Sequence, residues 1–206
     1  MRLFILTRHA HTTLNVEHRI NGDPSVPVPL TADGRTEATH LGHQLAALEI
    51  DFCVYTRFPR TKETAELILG DRFEQVVRLV EPGLDDIDVG DLEGASIDDY
   101  REWKRTHTPA DPFPGGESLD DAARRYAIAF RGLVEQPTPT ATLVVCHEIP
   151  IRYALNAAAG SDDLDGPEHS IPNATPYLFD DESLLRAADR IEKDAGPARR
   201  MDPTER

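Results

Sequence analysis

Four short stretches of this 206-residue chain carry side chains suited to holding an anion. Arg8-His9-Ala10-His11 comes first, followed by Thr56-Arg57-Phe58-Pro59-Arg60, Asp85-Asp86-Ile87-Asp88 and finally His147-Glu148. Each lies past an apolar run of strand character, so two histidines, several arginines and a group of carboxylates converge on one edge of a sheet. Guanidinium groups are the side chains of choice for binding oxyanions, because their planar forks match the oxygens. The chain has 22 Lys and Arg against 37 Asp and Glu, a net charge of −15 with histidine neutral. In so acidic a protein, arginines gathered in one place are the natural seat for a small anion. The same balance disfavours nucleic acid or an anionic membrane surface as a partner.

The elements that must position these residues alternate along the chain. Residues 3–7, 52–55, 76–80 and 142–146 read as strands, the first and last as solid apolar runs covered on both faces. Between them, Thr31 caps a helix with Ala38, Leu41, Leu45 and Leu48 at helical spacing, which leaves His40 and His43 facing water. Pro59 opens a second helix that Gly70 closes. Ser96 starts a short helix to 103, and residues 108–116, with three prolines and two glycines, form a loop. Ser118 caps a helix whose apolar face is Leu119, Ala122, Tyr126, Phe130 and Leu133, and a further helix runs over 149–159. Residues 176–179 and 183–185 predict a closing hairpin. The pattern predicts an α/β fold, a three-layer α/β/α sandwich with a mostly parallel central sheet and helices on both faces. Residues 1–190 form one domain in this reading, and the charged stretch 191–206 is a disordered tail.

In such sheets ligands bind past the carboxyl ends of the strands, which is where the four stretches fall. Cys53 and Cys146 sit in apolar runs outside any metal-ligand spacing and read as reduced core thiols. The longest apolar runs fall short of the ~20 residues of a membrane span. The N-terminal run is too short for a signal sequence, so a cytoplasmic protein is expected.

Residues 7–15, Thr-Arg-His-Ala-His-Thr-Thr-Leu-Asn, resemble the opening motif of the histidine phosphatases, the phosphoglycerate-mutase-like superfamily. Leu30-Thr31-Ala32-Asp33-Gly34, Arg60-Thr61-Lys62-Glu63-Thr64-Ala65, Gly90-Asp91-Leu92-Glu93-Gly94, Pro114-Gly115-Gly116-Glu117-Ser118 and Val144-Val145-Cys146-His147 follow in family order. The resemblance spans roughly residues 2–179. It implies a covalent mechanism in which His9 attacks a phosphomonoester and becomes phosphohistidine. By the same resemblance Arg8, Arg60 and His147 hold the phosphate oxygens, and Asn15 and Gly22 complete the substrate-binding set. Asp86, four residues before Gly90, is the implied general acid, with Asp85 as the alternative. An aspartate acid next to a phosphate dianion implies an acidic optimum. The arginines and His147 would supply the positive charge, so no metal or cofactor is expected.

Besides Asp86, where many members of the family carry glutamate, three positions depart from the family pattern. Ala10 and His11 replace the usual Gly-Glu, and Glu148 stands where glycine is common. Arg57 divides evenly between support of the site and solvent, Tyr100 and Trp103 between a lid and core packing, and Glu117 and Ser118 between helix capping and catalysis. The expected activity is hydrolysis of a small phosphorylated metabolite. A phosphoglycerate-type mutase and a non-catalytic phospho-ligand-binding protein are the alternatives. The short acidic stretch 96–102 favours the hydrolase over the mutase. The expected partner is a small-molecule phosphomonoester, with no nucleic acid or membrane partner and with room for a homodimer.

Overall fold

A computed structural model describes residues 2–137 and 140–196. In chain order its elements are β1 (Leu3–Arg8), α1 (Thr13–Val16), α2 (Ala32–Gln44), β2 (Phe52–Tyr55), α3 (Pro59–Leu69), β3 (Val77–Val80), α4 (Ile97–Thr106), α5 (Leu119–Glu135), β4 (Ala141–Cys146), α6 (Glu148–Ala158), β5 (Pro176–Asp180) and α7 (Asp181–Asp194). The sheet order is β3-β2-β4-β1-β5. The first four strands are parallel, and only the edge strand β5 runs antiparallel, against β1.

Alternation along the strands builds two cores. Phe4, Leu6, Phe52, Val54, Val144 and Cys146 point to one face and pack with the apolar stripes of α5, α6 and α7. Ile5, Cys53, Leu143 and Val145 point to the other and meet Ala38, Leu41, Ala65 and Ile68 of α2 and α3. Every residue of β4 is buried, as a central strand covered on both sides must be. Both cysteines are buried free thiols. The three-layer arrangement is thus the expected one, and His40 and His43 do lie exposed on α2. Among the described residues no helix is long and apolar enough to cross a membrane.

The chain after β5 corrects the sequence reading. In place of a hairpin, Asp180 caps α7 through a reciprocal capping box with Ser183. Leu184, Ala187, Ala188 and Ile191 recur at i, i+3, i+4 and i+7 and are all buried. The boundary drawn at 190 therefore cuts through α7, whose last turns belong to the core, and Ala195 beyond it is also buried. The remainder of the expected tail, 197–206, lies outside the described residues. Replacing fully buried Ile191 by alanine should cost about 2–5 kcal/mol. Urea denaturation checks this, and a loss below half a kcal/mol would return that stretch to an unpacked tail.

Candidate active site

Parallel register brings the site together. Arg8 lies opposite Cys146, and Tyr55 lies opposite both Val145 and Val80, so the strands end at one level. His9 follows β1 and donates its backbone N–H to the Cys146 carbonyl at 3.0 Å. Two helices begin at the same edge. Pro59 occupies the first turn of α3, where a missing N–H costs nothing, and His147 is the N-cap residue of α6. Both positive helix ends therefore face the strand ends, an arrangement suited to an anion.

His9 is only 3% exposed yet lines a cavity of about 1300 Å³. Its Nδ1 lies 2.9 Å from the Ala10 carbonyl. A carbonyl only accepts, so Nδ1 carries the proton and Nε2 keeps a bare lone pair. Burial, then the Arg60 and Arg8 charges, hold this imidazole well below the usual histidine range. The ring is neutral at neutral pH.

His147 is fully buried, its ring centre 5.5 Å from that of His9. Nε2 lies 2.9 Å from Thr56 Oγ1, while Nδ1 lies 3.2 Å from Arg60 Nη2 and 3.4 Å from Asp86 Oδ2. A guanidinium only donates, so Nδ1 accepts and Nε2–H donates to the threonine. Burial and then Arg60 push this ring well below the usual range too. His147 thus stands behind Arg60 and Asp86, off the cavity wall. In this state it brings no positive charge, contrary to the sequence expectation, because its desolvation is too costly.

The positive charge comes from the arginines. Arg60 is 4% exposed, with its guanidinium 4.1 Å over the Phe58 ring. It donates to the Asn21 side-chain oxygen, to the Asn21 carbonyl at 3.0 Å and to Asp86 at 3.3 Å. Burial lowers its pKa to about 10, with Asp86 pulling the other way, and it stays charged. Arg8 donates to the Ile171 carbonyl at 2.9 Å and pairs with Glu148 at 2.7 Å. Both arginines line the cavity, and each keeps a buried Nε–H without a hydrogen-bond partner. A bound oxyanion would satisfy such donors.

Asp86 lines the cavity with its side chain 23% exposed. Burial raises its pKa against the pull of Arg60 and Arg8. Asp85, the alternative acid, is committed elsewhere: its oxygens take the Arg57 N–H at 3.0 Å and Nε–H at 2.5 Å. Arg57 is therefore an exposed support for the Asp85 turn. Asn15 lines the cavity, its side-chain oxygen accepting from Thr12 N–H. Gly22 also lines it, but its N–H is taken by Glu93 at 2.6 Å. A Cβ there would stand 2.2 Å from the Ile87 carbonyl, so this glycine serves a close approach of two loops.

Three contributors went unassigned in the sequence. Thr56 orients His147. Asn21 holds the fork of Arg60. Glu93 gathers Asn21, Gly22 and Asp23 on its two oxygens. Position just past a strand singled out the stretch containing Thr56, but no period or spacing marks Asn21. His11 pairs with Glu37 at 3.0 Å at the cavity edge. Glu117 holds Arg125 and the Asp88 N–H, and Ser118 caps α5, so both are structural. Trp103 and Tyr100 stack on Phe113, and Tyr100 also lines the cavity.

The family model described as "Histidine phosphatase superfamily (branch 1)" matches residues 4–183. A Klebsiella pneumoniae protein named "Probable phosphoglycerate mutase GpmB" is 31% identical over 162 residues, covering 75% of this chain and 74% of that one. Among solved structures, YhfR of Bacillus stearothermophilus superposes with a TM-score of 0.75 at 26% identity, covering 87% of this chain and 91% of the other. A mycobacterial glucosyl-3-phosphoglycerate phosphatase, solved with VO3, gives 0.71 at 25% identity over 86% and 92% of the two chains.

The hydrogen bonds fix a tautomer that can be observed directly. Two-dimensional ¹⁵N–¹H spectra should show His9 as the neutral Nδ1–H form and His147 as the neutral Nε2–H form at slightly acidic pH. Two imidazoles titrating near the ordinary histidine value of about 6.5 would contradict the electrostatics described.

Proposed function

We propose, from the premise that this chain belongs to the histidine phosphatase superfamily, that it hydrolyses a small phosphomonoester through phosphohistidine at His9. The observation that carries this reading is the neutral His9 ring, its Nδ1–H held on the Ala10 carbonyl and its Nε2 left bare, beside Arg8 and Arg60 on the cavity wall. A nucleophile of this kind needs no base to unmask it. Arg8 and Arg60 take the phosphate oxygens and neutralise their charge, which is most of what phosphoryl transfer requires.

The Nε2 lone pair forms the N–P bond as the P–O bond to the leaving group breaks, and Asp86 gives that oxygen its proton. Water then attacks the phosphorus. Asp86, now ionised, accepts a proton from it, the N–P bond breaks, and inorganic phosphate leaves with both side chains restored. His147, behind the cavity wall, accepts Arg60 Nη2–H at its Nδ1 and so steadies the guanidinium that holds the phosphate. Asn15 lies on the same wall. The cavity exceeds the ~300–1000 Å³ common for small-molecule sites, which leaves room for the leaving group beyond the reacting phosphate.

One observation favours a second reading, a phosphoglycerate-type mutase: the name carried by the Klebsiella relative. Release of inorganic phosphate from an aryl phosphate without isomerisation of phosphoglycerate supports the hydrolase. Isomerisation without phosphate release supports the mutase.

His9→Ala should lower turnover by about 10³-fold or more and abolish acid-quench labelling. Persistence of a labelled phosphoprotein in that variant would remove His9 from the mechanism.

The first step needs Asp86 protonated and His9 neutral. The raised pKa of Asp86 extends its protonated form upward in pH, and the lowered pKa of His9 extends its neutral form downward. Activity should therefore hold on the acid side and fall as pH rises through the Asp86 pKa. Asp86→Asn should lose about 10²–10⁴-fold and with it that alkaline fall. A native profile that climbs above neutrality would exclude Asp86 as the acid.

A further inference from the structure

Resting on the phosphatase reading, we propose that Glu148 competes with phosphate for Arg8 and thereby speeds release of the product. Glu148 is the first residue of α6, directly after His147, and lines the cavity. Its Oε2 lies 2.7 Å from Arg8 Nη1, and its Oε1 lies 3.4 Å from Arg152 Nη1. Arg152 in turn reaches Asp165 at 2.8 Å and the His169 carbonyl at 3.2 Å, and Asp165 also pairs with Lys104 of α4. This line of alternating charges, together with the positive end of α6, pins the carboxylate against the anion site.

The consequence is a matter of charge balance. With Asp86 protonated, Arg8 and Arg60 face one fixed negative group, so the site holds a net single positive charge. A phosphate dianion settling on Arg8 must share that guanidinium with Glu148. Like charges at such separations in partly buried surroundings cost about tenfold or more in affinity. Substrate phosphate feels the same repulsion, but a substrate also binds through its leaving group, which inorganic phosphate lacks. A carboxylate here therefore weakens both by a similar factor, and the product, with no leaving-group contacts to hold it, is the one that then dissociates readily. That suits an enzyme that must discard phosphate after each turnover, and it is ill suited to one that must keep a phosphoryl group to return it.

Glu148→Gln removes the charge while keeping size and an acceptor oxygen. Calorimetric titration with inorganic phosphate at neutral pH should show binding about tenfold tighter than in the native protein. Inhibition of aryl-phosphate hydrolysis by phosphate should strengthen in parallel. Glu148→Asp, which keeps the charge, should stay within about threefold of native affinity. Damage to the fold loosens ligands, so a gain in affinity reports the lost repulsion and not a structural defect. Unchanged or weaker phosphate binding by the glutamine variant would overturn the proposal, as would an equal gain in the aspartate variant. The titration needs no turnover, so an inactive protein would sink the phosphatase reading while this question is still answered.

Discussion

Everything at the strand ends depends on keeping a guanidinium charged where almost no water reaches it. Arg60 is held there by Asn21, by Asp86 and by the face of Phe58. A desolvated cation is costly, and the surroundings offset that cost in a particular way. The two imidazoles beside it surrender their protons, first because they are buried and then because a third or fourth positive charge in the same corner would repel the first. The carboxyl group is pulled both ways, toward ionisation by the arginines and toward neutrality by burial, and burial prevails. Burial thus sets the direction of all three shifts, and Arg60 reinforces it at His9 and His147 while opposing it at Asp86. A substitution at Arg60 would be felt by all three.

Much of this was legible in the chain before any coordinates. Solid apolar runs marked β1 and β4, and reading the residues just past each strand found His9, Arg60 and His147, because a parallel sheet carries its strand ends to one edge. What eluded the sequence has physical causes. The chain after β5 holds a capping box and an i, i+3, i+4, i+7 stripe, but those signals lie among charged residues that mimic a tail. Asn21 acts through its side chain and its carbonyl on an arginine 39 positions away, and no local pattern encodes such a contact. The charge of His147 depended on burial depth, which composition cannot supply. Asp85 and Asp86 were separable only once Arg57 was seen to occupy the first of them.

The loops that close the site are ordered by backbone donors meeting a carboxylate. Glu93 collects the N–H groups of Gly22 and Asp23 and the amide of Asn21, and Gly22 lets that loop press against Ile87. The fork of Arg60 is aimed by this assembly from outside the sheet. Position in the site is therefore shared between the strands, which set the level, and a loop, which sets the direction.

The two thiols have a consequence of another kind. Cys53 lies in the layer beneath α2 and α3, and Cys146 lies in the opposite layer beneath α5, α6 and α7. Burial raises both thiols, Cys53 to about 12, so neither reacts while the sheet is covered. The protein carries one silent sulfur in each half of its interior. The order in which an alkylating reagent reaches them would tell which layer of helices lifts from the sheet first.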